Sequence, residues 1–216
     1  MILLKDYDNV RATDAGEFVR LPADGYVCKI INVKAETSKA GNPMLVFAVD
    51  IAEGEFAGYF IDQYKRRQQW NKDGAKYPND AVYRQLIFDT HSGKLNTNLK
   101  GMLTAIENSN PGFSVKGTST NNGNGDFSFN EETLKGKLCG FVFGEEEYIN
   151  GDGTTGVAIR IKYPRSVENI RSGKFRIPEL KKAEIPGSFS NTPTNSTEPN
   201  ATFDNLSSVE NEDVPF

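Results

Sequence analysis

Stretches rich in β-branched and aromatic residues recur along the first part of the chain, separated by turn-forming residues. Residues 25–34 (GYVCKIINVK) are rich in Val and Ile and predict a strand. Residues 44–51 (MLVFAVDI) predict a second strand, and the intervening segment 37–43 (TSKAGNP) has the composition of a turn. The pattern therefore predicts an antiparallel hairpin whose connecting loop carries Lys39.

The next apolar runs differ in their spacing. Residues 59–64 begin with two aromatic residues and predict a short third strand, whereas the spacing in residues 82–88 suits either a strand or a short helix. Residues 95–108 carry apolar side chains at positions 95, 99, 102, 103 and 106, the spacing of one helical face. A helix is predicted there, and it ends before the Asn-Pro-Gly sequence at residues 110–112.

The last part of the folded region predicts a second hairpin. Residues 117–126 (GTSTNNGNGD) predict a flexible surface loop. Residues 137–149 predict a strand with a glycine-marked bend, residues 157–163 predict its partner, and the Asn-Gly-Asp-Gly sequence at 150–153 suits the turn between them. Residues 166–171 predict a helical turn.

This order of elements favours a mainly β fold. Three strands, one helix and two further strands match the OB-fold, a five-stranded, partly open barrel with a helix between strands 3 and 4. A generic β-sandwich is the alternative. The predicted domains are an N-terminal arm at 1–20 that packs on the barrel, the OB-fold domain at 21–186, and an acidic tail at 187–216.

The tail has a distinct composition. Residues 187–216 contain five acidic residues and no basic residue among Ser, Thr, Asn and Pro, so this segment buries too little apolar surface to be ordered. The tail nevertheless ends in three apolar residues, which follow two acidic residues. The ring of a C-terminal Phe can enter a pocket on a partner protein while its carboxylate meets basic groups there. The predicted partner-binding residues are Glu212, Asp213, Val214, Pro215 and Phe216. A merely solubilising tail is the alternative.

The charge and the cysteine content narrow the possible functions and cellular locations of the protein. The whole chain has 25 basic and 29 acidic residues, but without the five tail acids the remainder has 25 against 24. A near-neutral domain can bind a polyanion when its bases are clustered. Cys28 and Cys139 lie singly in apolar runs and are expected to be buried and reduced. With neither a signal pattern nor a membrane-spanning apolar run, a cytoplasmic location without membrane contact is expected.

Residues 59–84 combine basic and aromatic side chains in the way that single-stranded nucleic acids require. Cations must follow the phosphates, and flat rings must accept unpaired bases. Three consecutive bases, Lys65 to Arg67, come within six residues of the only Trp, Trp70. The predicted contacts with single-stranded DNA are Lys39, Tyr59, Tyr64, Lys65, Arg66, Arg67, Trp70, Lys72, Arg160 and Lys162. Tyr77 and Tyr83 are weaker candidates.

Other roles for these and neighbouring residues stay open. At least one ring of the Tyr59–Phe60 pair is expected to be structural, since one face of any strand must join the core. Glu145, Glu146 and Glu147 predict a solvated edge, or a patch that repels nucleic acid and helps define the groove. A carboxylate metal site is disfavoured, because adjacent residues on a strand point to alternate faces. His91 is the only histidine. No catalytic residues, metal site or cofactor are predicted.

The tip and the inferred architecture resemble the bacterial single-stranded DNA-binding proteins. Members of that family have a disordered linker and an acidic end that finishes in Pro-Phe, here Asp213-Val214-Pro215-Phe216. Fewer consecutive acids, and Val214 where the usual pattern has Ile, are the departures. The resemblance implies that the tip recruits replication and repair proteins.

Most of residues 20–182 resemble a second group, proteins of bacteriophages and mobile elements, mainly of Gram-positive hosts. That group has long been described only as a domain of unknown function, and its members are suspected of binding single-stranded DNA. The resemblance is carried by PADGYVCKIINVKAETSKAGNPML, AIENSNPGF, LKGKLCGFVFGEEEY and SVENIRSGKFRIPELKK. It implies no individual binding residues.

The leading hypothesis is a non-enzymatic, sequence-tolerant single-stranded DNA-binding protein of phage or mobile-element replication or recombination. The alternatives are an adaptor that binds only proteins and, with less support, a nuclease. One barrel occludes few nucleotides, which favours a homo-oligomer, although cooperative monomers would serve equally.

Overall fold

The computed structural model describes residues 19–123 and 126–183. The predicted arm up to residue 18 and the whole predicted tail, including Glu212, Asp213, Val214, Pro215 and Phe216, lie outside the described residues. The strands are β1 (Gly25–Thr37), β2 (Pro43–Ile51), β3 (Val82–Leu86), β4 (Ser119–Gly123), β5 (Asp126–Phe129), β6 (Leu138–Ile149) and β7 (Thr155–Arg165). The α-helices are α1 (Tyr59–Trp70), α2 (Thr97–Ser109) and α3 (Val167–Arg171).

The protein is mainly β, with one open five-stranded sheet in the order β3-β2-β1-β6-β7 and every neighbouring pair antiparallel. The predicted strands at 25–34, 44–51, 137–149 and 157–163 are confirmed. The edge strands are β3 and β7. Arg160 of β7 pairs with Asp80 in the 3₁₀ turn Asn79–Ala81, which leads directly into β3. The sheet therefore curls enough to bring its two edges close together at this point.

The predicted strand at 59–64 is wrong, because these residues begin α1. Phe60 and Gln63 are buried and Tyr64 is half-buried, which is a spacing of three to four residues. The Lys-Arg-Arg-Gln-Gln run that follows consists of long unbranched side chains, which lose little freedom in a helix. The third strand of the sheet is instead β3, within the ambiguous segment at 82–88, so two α-helices rather than one precede the fourth strand of the sheet.

The predicted loop at 117–126 is also wrong. It contains a short 3₁₀ turn, Lys116–Thr118, and β4, which pairs with β5 in a separate two-stranded hairpin in the register Thr120 to Ser128. Backbone hydrogen bonds form such a ladder whatever the side chains are, so an Asn- and Gly-rich composition does not reveal it.

The predicted helix at 95–108 is confirmed as α2, which begins two residues later. Asn96 caps it by accepting hydrogen bonds at Oδ1 from the N–H groups of Asn98 (2.9 Å) and Leu99 (3.4 Å). At the other end, the Asn110 side chain donates to Leu138 O (2.8 Å) and accepts from Leu138 N (2.9 Å), which fastens α2 to β6. The helical turn predicted at 166–171 is confirmed as α3.

The main core lies between the curled sheet and α2, and α1 contributes Phe60 to it. Cys28 and Cys139 are directly opposite each other on β1 and β6, and both are buried free thiols, as predicted. Burial raises the pKa of Cys139 to about 12. No helix among the described residues is long and apolar enough to span a membrane.

Candidate nucleic-acid interface

The outward face of α1 carries the strongest sequence candidates. Asp62, Lys65, Arg66, Gln69 and Trp70 are spaced by three or four residues and are all exposed. Lys65 Nζ lies 3.6 Å from Asp62 Oδ1, in an exposed pair within the helix. Trp70 is 91% exposed at the last residue of α1. Two cations and a fully accessible indole therefore share one helical face.

The inward face of α1 is structural. The Phe60 ring is 1% exposed and stacks on Phe143 of β6, with 5.9 Å between ring centroids. Tyr59 is half-buried against the core, and its hydroxyl accepts a hydrogen bond from Leu21 N at 3.2 Å. Tyr64 is half-buried too, with its ring centroid 5.5 Å from that of buried Tyr77. The structure thus places Tyr59 and Tyr64, both predicted as DNA contacts, in ring packing that fixes the helix.

The segment that returns from α1 to β3 extends the basic surface. Arg67 Nη1 donates to Lys76 O at 3.4 Å, which ties this segment back to the helix. Lys72 is exposed immediately after α1. Residues 59–78 hold five bases, Lys65, Arg66, Arg67, Lys72 and Lys76, against two acids, Asp62 and Asp73. We call residues 59–78 the α1 surface.

A row of residues on the sheet continues this surface, and the sequence predictions missed it. Val46 of β2 pairs with Lys34 of β1 on one side and with Arg84 of β3 on the other. Arg84 Nη1 also donates to Asn79 Oδ1 at 3.3 Å, next to the end of the α1 surface. Burial lowers the pKa of Arg84. Neighbouring strands are about 5 Å apart, so Lys34 and Arg84 lie about 10 Å apart at their backbones.

Lys39 is exposed in the turn between β1 and β2, as predicted. It lies at the opposite end of β2 from α1, which is about 27 Å away along nine residues of strand. Phe88, which is exposed, reaches this same end: Ile87 N donates to Pro43 O at 3.0 Å, and Phe88 forms a bridge with Leu95. The structure therefore places Lys39 near Phe88, at the opposite end of β2 from the start of α1.

Arg160 and Lys162, the weaker candidates on β7, each have an acidic partner. Arg160 is half-buried in the ion pair with Asp80, and burial lowers its pKa. Lys162 Nζ lies 2.8 Å from Glu146 Oε2, and its side chain is 16% exposed. Their alternation on one face of β7 was visible in the sequence. The partner of Arg160 is eighty residues away in the chain, whereas the partner of Lys162 lies on the neighbouring strand β6.

The three consecutive glutamates are partly solvated, but they lie on β6, which is not an edge strand, and each has a partner. Glu145 pairs with Arg20 at 3.7 Å, Glu146 with Lys162, and Glu147 Oε2 accepts a hydrogen bond from Ala183 N at 3.3 Å. All three are half-buried. Within residues 19–123 and 126–183, no group of three or more His, Cys, Asp or Glu side chains is arranged to hold a metal ion.

No curated protein matches this chain. The family described as "Protein of unknown function (DUF669)" matches residues 6–130. The match includes α1 and its basic residues, β1 to β3, and α2, and it stops before β6 and β7. It covers more than half of the 216 residues, and the chain accordingly belongs to the DUF669 family.

Proposed function

We propose that this protein binds single-stranded DNA without sequence preference and acts in phage or mobile-element replication or recombination. The observation that carries the proposal is Trp70, which is 91% exposed at the end of α1, one helical turn after Arg66. An indole so fully in water contributes almost nothing to the core, because burial is what makes an aromatic residue stabilising.

The chemistry of the α1 surface suits a single strand better than a duplex. An exposed indole can accept an unpaired base on its flat face, and base stacking of this kind contributes about 1–3 kcal/mol per base whatever the sequence. The surplus of three positive charges in residues 59–78 would lie along the phosphates on either side of that base. Duplex DNA offers the phosphates but keeps its bases stacked inside.

The sheet gives independent support through its resemblance to an OB-fold. The sheet has the order β3-β2-β1-β6-β7, and α2 lies between β3 and β6 in the chain, an arrangement that resembles the strand order of that barrel and so supports the proposal. OB-folds bind oligonucleotides across strands 2 and 3 and at the neighbouring loops. The Lys34–Val46–Arg84 row lies across strands 1 to 3, and Asn79 connects it to the α1 surface.

On this proposal the protein has no catalytic role and works in the cytoplasm of a bacterial host. The tail tip, Glu212 to Phe216, recruits replication or recombination enzymes. Those residues lie outside the described part of the chain, and their sequence alone supports this role. A homo-oligomer would let several barrels share one strand.

The experiment is a fluorescence titration, because Trp70 is the only Trp in the chain. The protein is titrated with oligo-dT, with oligo-U and with a DNA duplex of equal length, each at several salt concentrations. We expect oligo-dT to quench Trp70 and the duplex to quench it far less. The affinity should fall with salt at a log–log slope of about −0.7 for each phosphate contacted.

Two variants locate the site: the double variant Lys65→Gln/Arg66→Gln, and the control Lys100→Gln, at an exposed position of α2. The double variant should reduce the affinity for oligo-dT and flatten the salt slope, whereas the control should change neither. Equal binding by both variants would place the DNA elsewhere. Absence of binding in the titration and in a gel shift would refute the proposal and favour the protein-only adaptor, and stronger binding to oligo-U would make RNA the ligand.

A further inference from the structure

The start of α1 is capped from outside the helix. Gly58 occupies the N-cap position with φ 81°, and having no side chain it cannot satisfy the first N–H groups of the helix. Asp50 of β2 does so instead: its Oδ1 accepts hydrogen bonds from Phe60 N at 2.9 Å and Ile61 N at 3.4 Å. A carboxylate here also interacts favourably with the positive end of the helix dipole.

Asp50 is unusual among the charged residues of the fold because it is only 4% exposed. Its burial raises its pKa, although the backbone hydrogen bonds from Phe60 and Ile61 act in the opposite direction. A buried carboxylate is costly unless it is well hydrogen-bonded. Its two bonds to α1 are therefore specific contacts that fix where the helix starts relative to the sheet.

Val49, which is next to Asp50 on β2, holds the segment that follows α1. Tyr77, which follows α1, donates its hydroxyl hydrogen bond to Val49 O at 2.9 Å, and its ring packs against Tyr64. Adjacent positions of β2 thus fasten both the beginning of α1 and the segment that returns from it. Trp70 lies ten residues beyond Phe60, about 15 Å along the helix axis. A small tilt at the capped end therefore becomes a large displacement of the indole.

We propose that Asp50 is a positioning residue: by capping α1 from β2, it orients the exposed face that carries Lys65, Arg66 and Trp70. The part of this inference that concerns DNA affinity rests on the proposed function. The part that concerns the position of α1 does not.

The test compares Asp50→Ala, which removes the acceptor, with Asp50→Asn, which retains an oxygen acceptor of the same size without the charge. Asp62→Ala is the matched control, since Asp62 is an acid in the first turn of the same helix but is exposed and belongs to α1 itself. Three quantities are measured at a temperature where circular dichroism shows folded protein: amide hydrogen exchange in residues 59–70, steady-state anisotropy of Trp70, and affinity for oligo-dT.

In Asp50→Ala we expect at least tenfold faster exchange in residues 59–70, with exchange in β1 and β6 unchanged, lower Trp70 anisotropy and about tenfold weaker binding of oligo-dT. Asp50→Asn should restore all three, and Asp62→Ala should leave exchange and anisotropy as in the wild type. If Asp50→Ala does not fold, Asp50→Leu, which fills the same space without a hydrogen-bond acceptor, replaces it with the same expectations.

A folded Asp50→Ala or Asp50→Leu protein with wild-type exchange and anisotropy would overturn the inference. Faster exchange throughout the sheet would also overturn it, because the role would then be general stability. If the wild type does not bind oligo-dT, the proposed function fails, while exchange and anisotropy still decide whether Asp50 positions α1.

Discussion

Replacing Trp70 separates a binding role from a structural one more sharply than any other single change. Because its side chain is 91% exposed, Trp70→Ala removes almost no buried apolar area. Ala is also the better helix former, by a few tenths of a kcal/mol. The free energy of unfolding should therefore change by less than about 0.5 kcal/mol, the usual range for a surface substitution.

The affinity for single-stranded DNA should respond very differently. Loss of one stacked base is expected to cost about 1–3 kcal/mol of binding free energy, which raises the dissociation constant about 5- to 150-fold. Trp70→Phe keeps a ring and should recover much of that loss. Neither substitution removes a charge, so the slope of affinity against salt should stay as in the wild type.

The assay is fluorescence anisotropy of a labelled oligo-dT, which does not depend on the Trp that has been removed. Urea denaturation, followed by circular dichroism, measures the stability of the same samples. Wild-type affinity in a folded Trp70→Ala protein would refute the assignment of Trp70 as a base-stacking residue. A loss of stability above about 2 kcal/mol would contradict the exposed position of the ring.

Four further predictions concern the core, the charges and the tail. Phe143→Ala should lower the free energy of unfolding by about 3–5 kcal/mol in urea denaturation, because it empties a fully buried ring site. Burial raises the pKa of Tyr83 to about 12 from 10.0, so the folded state favours the neutral phenol. The resulting stability is present below about pH 10 and is lost as the pH rises towards 12. In pH-dependent denaturation, Tyr83→Phe should flatten this loss. Lys65→Gln should reduce the slope of log affinity against log salt by about 0.7 in magnitude, without lowering Tm. Arg160→Gln breaks the ion pair with Asp80 that joins the two edges of the sheet, so it should lower Tm and leave that slope unchanged. Deleting residues 207–216, which carry three acids, should tighten oligo-dT binding at low salt if the tail competes for the α1 surface, and unchanged affinity would exclude that competition.

Local sequence patterns were sufficient where an element depends on its own residues. The two long hairpins follow from Val- and Ile-rich runs separated by turn residues, and α2 follows from an apolar spacing that repeats over three turns. The exposure of Trp70 also follows, because its neighbours are all polar and offer nothing to pack against. These features are short-range, so the sequence carries them almost in full.

The local sequence could not decide whether the residues of α1 form a helix or a strand. Tyr59, Phe60 and Ile61 favour a strand by propensity, but a helix at this position lets Phe60 stack on Phe143, more than eighty residues later in the chain. The cap from Asp50 adds hydrogen bonds that only the folded arrangement supplies. Tertiary packing of this kind routinely overrides a weak local preference.

The amino-acid sequence by itself determined the mainly β character, the two long hairpins, the helix α2 and the basic, Trp-containing segment. Only the tertiary structure decided which residues far apart in the chain lie next to each other. Arg160 pairs with an acid eighty residues away, whereas Lys34 and Arg84, fifty residues apart, lie on either side of Val46. Strand register and the curl of the sheet set these distances, and both arise from pairing between segments far apart in the chain.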